Sequence, residues 1–313
     1  MIQHTVPTPY VVGEAHYYST EIKGELVLFD TGPPTEDGLA ALKRNVDLKR
    51  LKHVFITHCH VDHFGHAGYL EKHTDAQIYI PRRDAVKVCR SHERRAALVD
   101  ILVEAGFDAE FAQVQRKISI ESHLAAVPLE RFHIVEESQE VLDHLGITYL
   151  SCPGHSQADT VYLLDGAAVT GDLLLREIFQ NPVLEVDLKT FSGRYRNYAA
   201  YCSSLPALAS LEGREIHPGH RDHVDGVRDT ILFYVRKLLE RAAKVRPYAH
   251  LEKPAEMISQ IFGDGLDPFV KFMKVSEIFF MRDFLAEPEL LRESLKEISL
   301  LDLLAELYGR AVD

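Results

Sequence analysis

Within six residues, His58, His60, Asp62 and His63 crowd three imidazoles and a carboxylate into the stretch Thr57-His58-Cys59-His60-Val61-Asp62-His63-Phe64-Gly65-His66. That density limits what the chain can fold into. Imidazole nitrogen and carboxylate oxygen are ligands for zinc, iron and manganese, so a fold that carries them in this number has to bring them to one point. The preceding Leu51-Lys52-His53-Val54-Phe55-Ile56 is short, mostly apolar and reads as a buried strand. The chain therefore leaves a sheet and presents donor atoms at its end. In extended chain His58 and His60, two apart, point to the same side. Asp62 and His63 are expected at the start of a helix running towards Leu70, where a carboxylate complements exposed N–H groups. The bland alternative is a run of solvated histidines, and the tight spacing argues against it.

The rest of the chain sets bounds on this reading. At 313 residues there is room for one large domain, or for one domain with an appendage. A hydrophobic share of 46% and a charged share of 26% fit a soluble globular enzyme. A net charge of −12 repels nucleic acid, which is excluded as a partner. No run of about 18 apolar residues is present, so no membrane span is expected. Met1 to Pro9 lacks the basic and apolar regions of a signal peptide. Cys59, Cys89, Cys152 and Cys202 are scattered without the spacing of a disulfide framework. They read as free thiols, and a cytoplasmic location follows. Thiolates do bind zinc, but Cys59 in extended chain faces away from His58 and His60. Cys59 and Cys152 both read as small buried residues.

Taken in order, Glu14–Thr20 and Glu25–Asp30 read as two strands flanking a turn at Lys23-Gly24. Glu36–Asn45 is a helix, and Gln77–Ile80 a short strand closed by Pro81. Strands alternating with helices argue an α/β fold. Residues 82–127 break the rhythm with long helical patterns, an inserted segment. Its start holds Arg82, Arg83, Lys87, Arg90, Arg94 and Arg95. These form either a cap that attracts an anionic substrate or a solvated face partnered by Asp84 and Glu93; the second reading is preferred. Strands resume at Phe132–Val135 and Ile147–Ser151, the latter delivering His155 into the loop Cys152-Pro153-Gly154-His155. A hairpin spans Thr160–Leu164 and Ala167–Thr170 across Asp165-Gly166, followed by Gly171-Asp172. Tyr195–Tyr198 open a helix to Ala209, and a last strand, Arg214–His217, ends in Pro218-Gly219-His220. His217 reads as a core residue, His223 as solvated, and His53 and His66 as structural. From Asp225 the chain turns helical, with helices over Ala255–Phe262, Phe269–Leu285 and Glu289–Tyr308 broken by Pro254, Gly263, Pro268 and Pro288.

His-x-His-x-Asp-His after a strand, then a glycine-flanked His, a Gly-Asp and a late Gly-His, resembles the signature of the metallo-β-lactamase superfamily over about residues 10–225. The overall layout is most similar to glyoxalase II-like hydrolases with a helical C-terminal lobe. The resemblance implies an αββα four-layer sandwich. It divides the chain into a catalytic domain over 1–225, with the helical insertion at about 82–127, and a helical lobe over 226–313. It assigns His58, His60 and His155 to one metal, Asp62, His63 and His220 to a second, and Asp172 to a bridge between them. Asp30, in Asp30-Thr31-Gly32, would accept the other N–H of a ligating histidine, or else simply end a strand. Two divalent ions are implied, zinc first, with iron or manganese as alternatives.

Two metals about 3.5–4 Å apart share a water and lower its pKa from about 15.7 towards 7. The expected reaction is therefore hydrolysis by a hydroxide held between two metals, with Asp62 steering the water or taking a proton besides ligating. Tyr195 and Tyr198 are the candidates for a separate acid. A thioester or other carboxylic ester of a small molecule is the first expectation, and the basic stretch suits an anionic one. The alternatives are a lactonase, a single-iron persulfide dioxygenase and a non-catalytic regulatory protein of the same fold. Helical tails in this superfamily wall the substrate pocket or join a homodimer.

Overall fold

The computed structural model describes residues 1–10, 12–124 and 126–312, and for 120 and 122–124 the backbone alone. Its two central strands are buried on both sides: Val27, Leu28 and Phe29 in β3 (Glu25–Phe29), and Val54 and Phe55 in β4 (Leu51–Phe55). Near-continuous apolar strands of this kind belong in the middle of a covered sheet. β3 and β4 pair in parallel. β5 (Gln77–Ile80) and β6 (His133–Ile134) extend the parallel side, while β2 (Ala15–Ile22) and β1 (Ile2–Val6) extend the other side antiparallel. The order is β1-β2-β3-β4-β5-β6. A second sheet has the order β10-β9-β8-β7, from β7 (Thr148–Ser151), β8 (Thr160–Leu164), β9 (Ala167–Gly171) and β10 (Glu215–Pro218).

Alternation of side chains along the strands divides the apolar residues between two layers. Val27, Phe29, Phe55 and Tyr79 face the second sheet and meet Tyr162 and Val169 there. The Tyr162 ring lies 5.6 Å from Phe29 and 5.4 Å from Phe55, and its hydroxyl donates to the Ile56 carbonyl at 2.7 Å. Leu28, Val54 and Ile56 face outward against α1 (Glu36–Asn45) and α3 (Ala67–His73). On the far face of the second sheet, Val161, Ala168 and Ile216 pack against α8 (Asn197–Ala209) and α9 (Val227–Val245). The result is helix, sheet, sheet, helix: the four-layer α/β sandwich. The inserted segment forms α4 (Arg82–Cys89), α5 (Ser91–Glu104) and α6 (Ala109–Leu124). The C-terminal helices are α10 (Pro254–Phe262), α11 (Pro268–Ala286), α12 (Pro288–Glu297) and α13 (Leu301–Val312). One apolar cluster runs from Leu98 and Leu102 of α5 through Leu205 to Val235, Ile278 and Leu295. Among the described residues no helix is long and apolar enough to cross a membrane.

The structure corrects several boundaries. The helix expected from Asp62 towards Leu70 is two helices, α2 (Val61–Phe64) and α3. The break has a physical cause. The His63 carbonyl, which a continuous helix would need, is taken by the N–H of Thr31 at 2.6 Å and its hydroxyl at 3.0 Å. Gly65 also lies so close to Pro34 that a Cβ there would come within 2.5 Å of the Pro34 nitrogen. The strand expected over Phe132–Val135 shortens to His133–Ile134, because a 3-10 turn takes over at Val135. The helix expected over Glu289–Tyr308 is interrupted at Ser299, whose φ is +56°. Strand β1 and α7 (Gln139–Leu145) were not expected from the sequence.

Candidate metal centre

β3 and β4 end side by side, and so do β9 and β10 of the other sheet. Asp30, His58, Asp172 and His220 follow these ends, and His155 follows β7. The fold thereby brings His58, His60, Asp62, His63, His155, Asp172 and His220 to one edge of the sandwich. The ring nitrogens of His58, His60 and His155 lie within 4.8 Å of one another, as do the donor atoms of Asp62, His63 and His220 and those of His58, His63 and Asp172. His60 Nδ1 is 3.0 Å from both His58 Nε2 and His155 Nε2. Asp172 reaches both groups: its Oδ1 is 3.3 Å from His63 Nε2 and 3.4 Å from His220 Nε2, and its Oδ2 is 3.5 Å from His155 Nε2. Asp62 Oδ2 is 3.4 Å from His220 Nε2.

The tautomers follow from what holds the far side of each ring. His63 Nδ1 donates to Asp30 Oδ2 at 2.9 Å. Thr57 Oγ1 gives its proton to the same oxygen at 2.8 Å and so accepts from His58 Nδ1 at 3.1 Å. His155 Nδ1 donates to the Asn181 carbonyl at 2.9 Å, and His220 Nδ1 to the Glu14 carbonyl at 2.6 Å. Four imidazoles are therefore held by Nδ1 from outside, with their Nε2 atoms facing inward. Those of His63 and His220 point at carboxylate oxygen, and those of His58 and His155 at a third imidazole. His63 Nε2, His220 Nε2 and Asp172 Oδ1 are buried with no hydrogen-bond partner among the described residues. Lone pairs aimed at lone pairs repel unless cations lie between them, and neutral imidazole with ionised carboxylate is a donor set for divalent metals. The residues fit a metal centre.

The electrostatics agree. Burial, reinforced for His58 by His63 and for His60 by Lys87, holds both imidazoles well below their ordinary pKa, so they stay neutral. Burial would also depress His63, but the carboxylates of Asp172 and Asp30 outweigh it and push that pKa well up. Burial would raise Asp172, yet His220 and His63 hold its carboxyl well below the usual range. In the protein alone, protons do the work that cations would do.

Two glycines permit the close packing. Gly171 has φ +52°, and a Cβ there would lie 2.7 Å from Thr57 Oγ1. A Cβ on Gly219 would come within 2.5 Å of His63 Cε1 and 2.6 Å of Asp172 Oδ1.

Other sequence expectations sort themselves here. Asp30 is the acceptor for His63 and, through Thr57, the anchor of His58; it sits at φ +59°. Tyr198 is no acid near the centre: its hydroxyl is bound in the core, donating to the Glu287 carbonyl at 3.0 Å and accepting from Leu291 N–H at 3.1 Å. Cys59 and Cys152 are buried and outside the ligand groups. The basic stretch is only partly a solvated face. Arg82 and Arg90 pair at the surface with Glu137 and Glu93, while Lys87 and Arg94 turn inward and are buried. The sequence reading missed the anchors Thr57, Glu14 and Asn181. Thr57 stands inside the motif; the other two act through main-chain carbonyls, which no residue type signals.

No curated protein matches the chain. Solved structures do. A metallo-beta-lactamase family protein from Thermus thermophilus aligns with TM-score 0.73 at 21% identity, over 92% of this chain and 93% of that one. A beta-lactamase domain protein from Burkholderia ambifaria aligns with TM-score 0.72 at 19% identity, over 91% and 86%. Both share the fold. The family model described as the Metallo-beta-lactamase superfamily matches residues 12–242, well over half of the chain. The chain belongs to the metallo-β-lactamase superfamily.

Proposed function

We propose that the protein is a metal-dependent hydrolase that cleaves a thioester or another carboxylic ester of a small molecule. One observation carries the reading. Four imidazoles are anchored through Nδ1 so that their Nε2 atoms converge on each other and on two carboxylates. His58, His60 and His155 would hold one divalent ion, Asp62, His63 and His220 a second, and Asp172 would touch both. Zinc is the first choice, and the donor set also suits iron or manganese. Such ions, when bound, supply an acidified water at neutral pH and polarise a carbonyl oxygen.

The chain's own residues do the rest. Asp30 and Thr57 keep His63 and His58 in the ligating tautomer, and the Glu14 and Asn181 carbonyls do the same for His220 and His155. Asp62 is buried, which would raise its pKa, but His220 and His63 outweigh that and keep it ionised. It is therefore unprotonated, as a carboxylate must be to ligate an ion or to take a proton from an attacking water and pass it to the leaving group. The net charge of −12 disfavours nucleic acid as substrate.

The test is a hydrolysis panel of thioesters, lactones and phosphodiesters on zinc-, iron- and manganese-loaded protein, with oxygen uptake measured on a persulfide. Thioester or carboxylic-ester turnover lost on chelation is the expected result. Turnover confined to lactones or phosphodiesters, or oxygen consumption with one iron per chain, overturns it.

A further inference from the structure

We propose that Lys87 is a positioning residue for the His58–His60–His155 pocket, acting through a buried ionic chain that joins the two loops carrying these histidines. The proposal rests on the metal reading above. Asp84 of α4 accepts the N–H of Cys59, the residue between His58 and His60. One turn further on, Lys87 Nζ lies 3.7 Å from Asp84 Oδ1 and 2.6 Å from Glu185 Oε1. Glu185 Oε2 accepts from Gln157 Nε2 at 3.2 Å, two residues after His155. Gln157 is tied in turn to the Val186 carbonyl at 2.8 Å and the Leu188 N–H at 3.0 Å. The chain therefore runs from one ligand loop to the other through α4 of the insertion.

Its energetics point to geometry rather than stability. The side chains of Asp84, Lys87 and Glu185 are 1%, 4% and 2% exposed. Arg94, also buried, adds a second cation near both carboxylates. Two cations thus face two anions in the interior. Taking such charges out of water costs about as much as their attraction returns, and apolar replacements are often more stable. What a buried ionic network does supply is a single arrangement of the groups it ties together. Here those groups are the backbone at Cys59 and the side chain at Gln157, on either side of ring nitrogens that stand 3.0 Å apart. Lys87 is the link, within ion-pair distance of both carboxylates. The inserted helices then have a second duty besides packing against the C-terminal helices: they gauge the width of one metal pocket.

The test uses the full chain and Co2+ as the only ligand. The double variant Lys87→Met/Glu185→Gln removes one cation and one anion together, leaving Asp84 and Arg94 balanced. Lys87→Arg is the conservative control. Circular dichroism and thermal melting of the metal-free protein report the fold. Chelator competition followed by visible absorption reports each Co2+ ion, the one in the His58–His60–His155 pocket being identified by its loss in His58→Ala. The expected double variant melts near the parent and binds that ion about 10–100-fold more weakly, the range for partners of metal ligands. Its absorption spectrum changes, the other ion is held as before, and Lys87→Arg recovers most of the affinity. A folded double variant with unchanged affinity for both ions overturns the proposal. Equal weakening of both ions also overturns it, since that marks a merely structural role. If the double variant does not fold, Gln157→Met, which cuts the same chain without removing a charge, carries the same expectation and the same refutation. No substrate enters these measurements. Selective metal loss without any ester hydrolysis in the parent would count against the proposed function and leave Lys87's role standing.

Discussion

The two halves of the centre are built from different materials. The His58–His60–His155 group is all imidazole and contains no carboxylate. Its supports come mostly from outside the first sheet: Asp30 through Thr57, the insertion through Asp84, and the 176–196 loop through Asn181. The Asp62–His63–His220 group contains a carboxylate, sits beside Asp172, and is held by Asp30 and by the Glu14 carbonyl at the start of β2. One half thus lacks a carboxylate and is braced largely by the insertion and a loop, while the other contains one and is braced by the first sheet. A neutral pocket relies on the placing of its walls, whereas an anionic one has Coulomb attraction for a cation in addition. Changes outside the ligand set should therefore be felt more in the first half than in the second.

The largest test of that contrast is Asp172→Asn. Asp172 touches both halves, so both ions should bind more weakly, and hydrolysis should fall by more than the roughly 100-fold seen for partners of ligands. Metal analysis that finds one ion still held at parental affinity would show the halves to be independent of Asp172. Next come His58→Ala and His220→Ala. Each should reduce the metal content by one ion, leaving the other half loaded. Loss of both ions in either variant would erase the distinction between the halves. Asp30→Asn is smaller but more pointed. It anchors His63 directly and His58 through Thr57, so both halves should weaken by about 10–100-fold, which isothermal titration measures. An effect on one half alone would break the Asp30–Thr57–His58 relay.

The smallest effect separates acid loss of metal from acid unfolding. Burial holds the pKa of His66 down at about 4, against 6.5 in an open chain. Below pH 6.5 the unfolded chain takes up a proton that the folded one refuses. Stability contributed by neutral His66 is therefore present above pH 6.5, shrinks as the pH falls to about 4, and changes no further beneath. Melting of metal-free protein between pH 7 and 4.5 should show this decline, and His66→Asn should flatten it. An unchanged slope in the variant would assign the decline to other groups.

How much of this was legible in the sequence depends on what kind of signal each residue gives. The strands carrying the site announced themselves through Val, Ile, Leu and Phe runs that stop at Asp, His or Gly. The four-layer sandwich followed from the motif and its resemblance. The convergence of these His and Asp side chains was legible because His and Asp at strand ends are chemically specific. The break after Phe64 was not, because it depends on Thr31, distant in sequence, competing for the His63 carbonyl. Strand β1 was missed because Ile2–Val6 is short and half exposed, so its apolar pattern is weak. Lys87 and Arg94 were read with Arg82 and Arg90 as one basic run. Only the packing of α4 and α5 against Glu185 tells inward from outward. Main-chain acceptors such as Glu14 have no sequence signature, since every residue has a carbonyl.

Asn181 has one more consequence. Its carbonyl receives His155, its side-chain amide donates to the Met273 carbonyl of α11 at 3.0 Å, and Leu184 N–H donates to Ser276 Oγ on the same helix at 3.0 Å. Opening of the 181–184 segment is therefore coupled to opening of this part of α11, and an ion at His155 would oppose both. Amide hydrogens around Met273 and Ser276 should exchange with deuterium more slowly once metal is added. Helix α11 would then serve as a gauge of occupancy for a centre whose ligand candidates all precede it in the sequence.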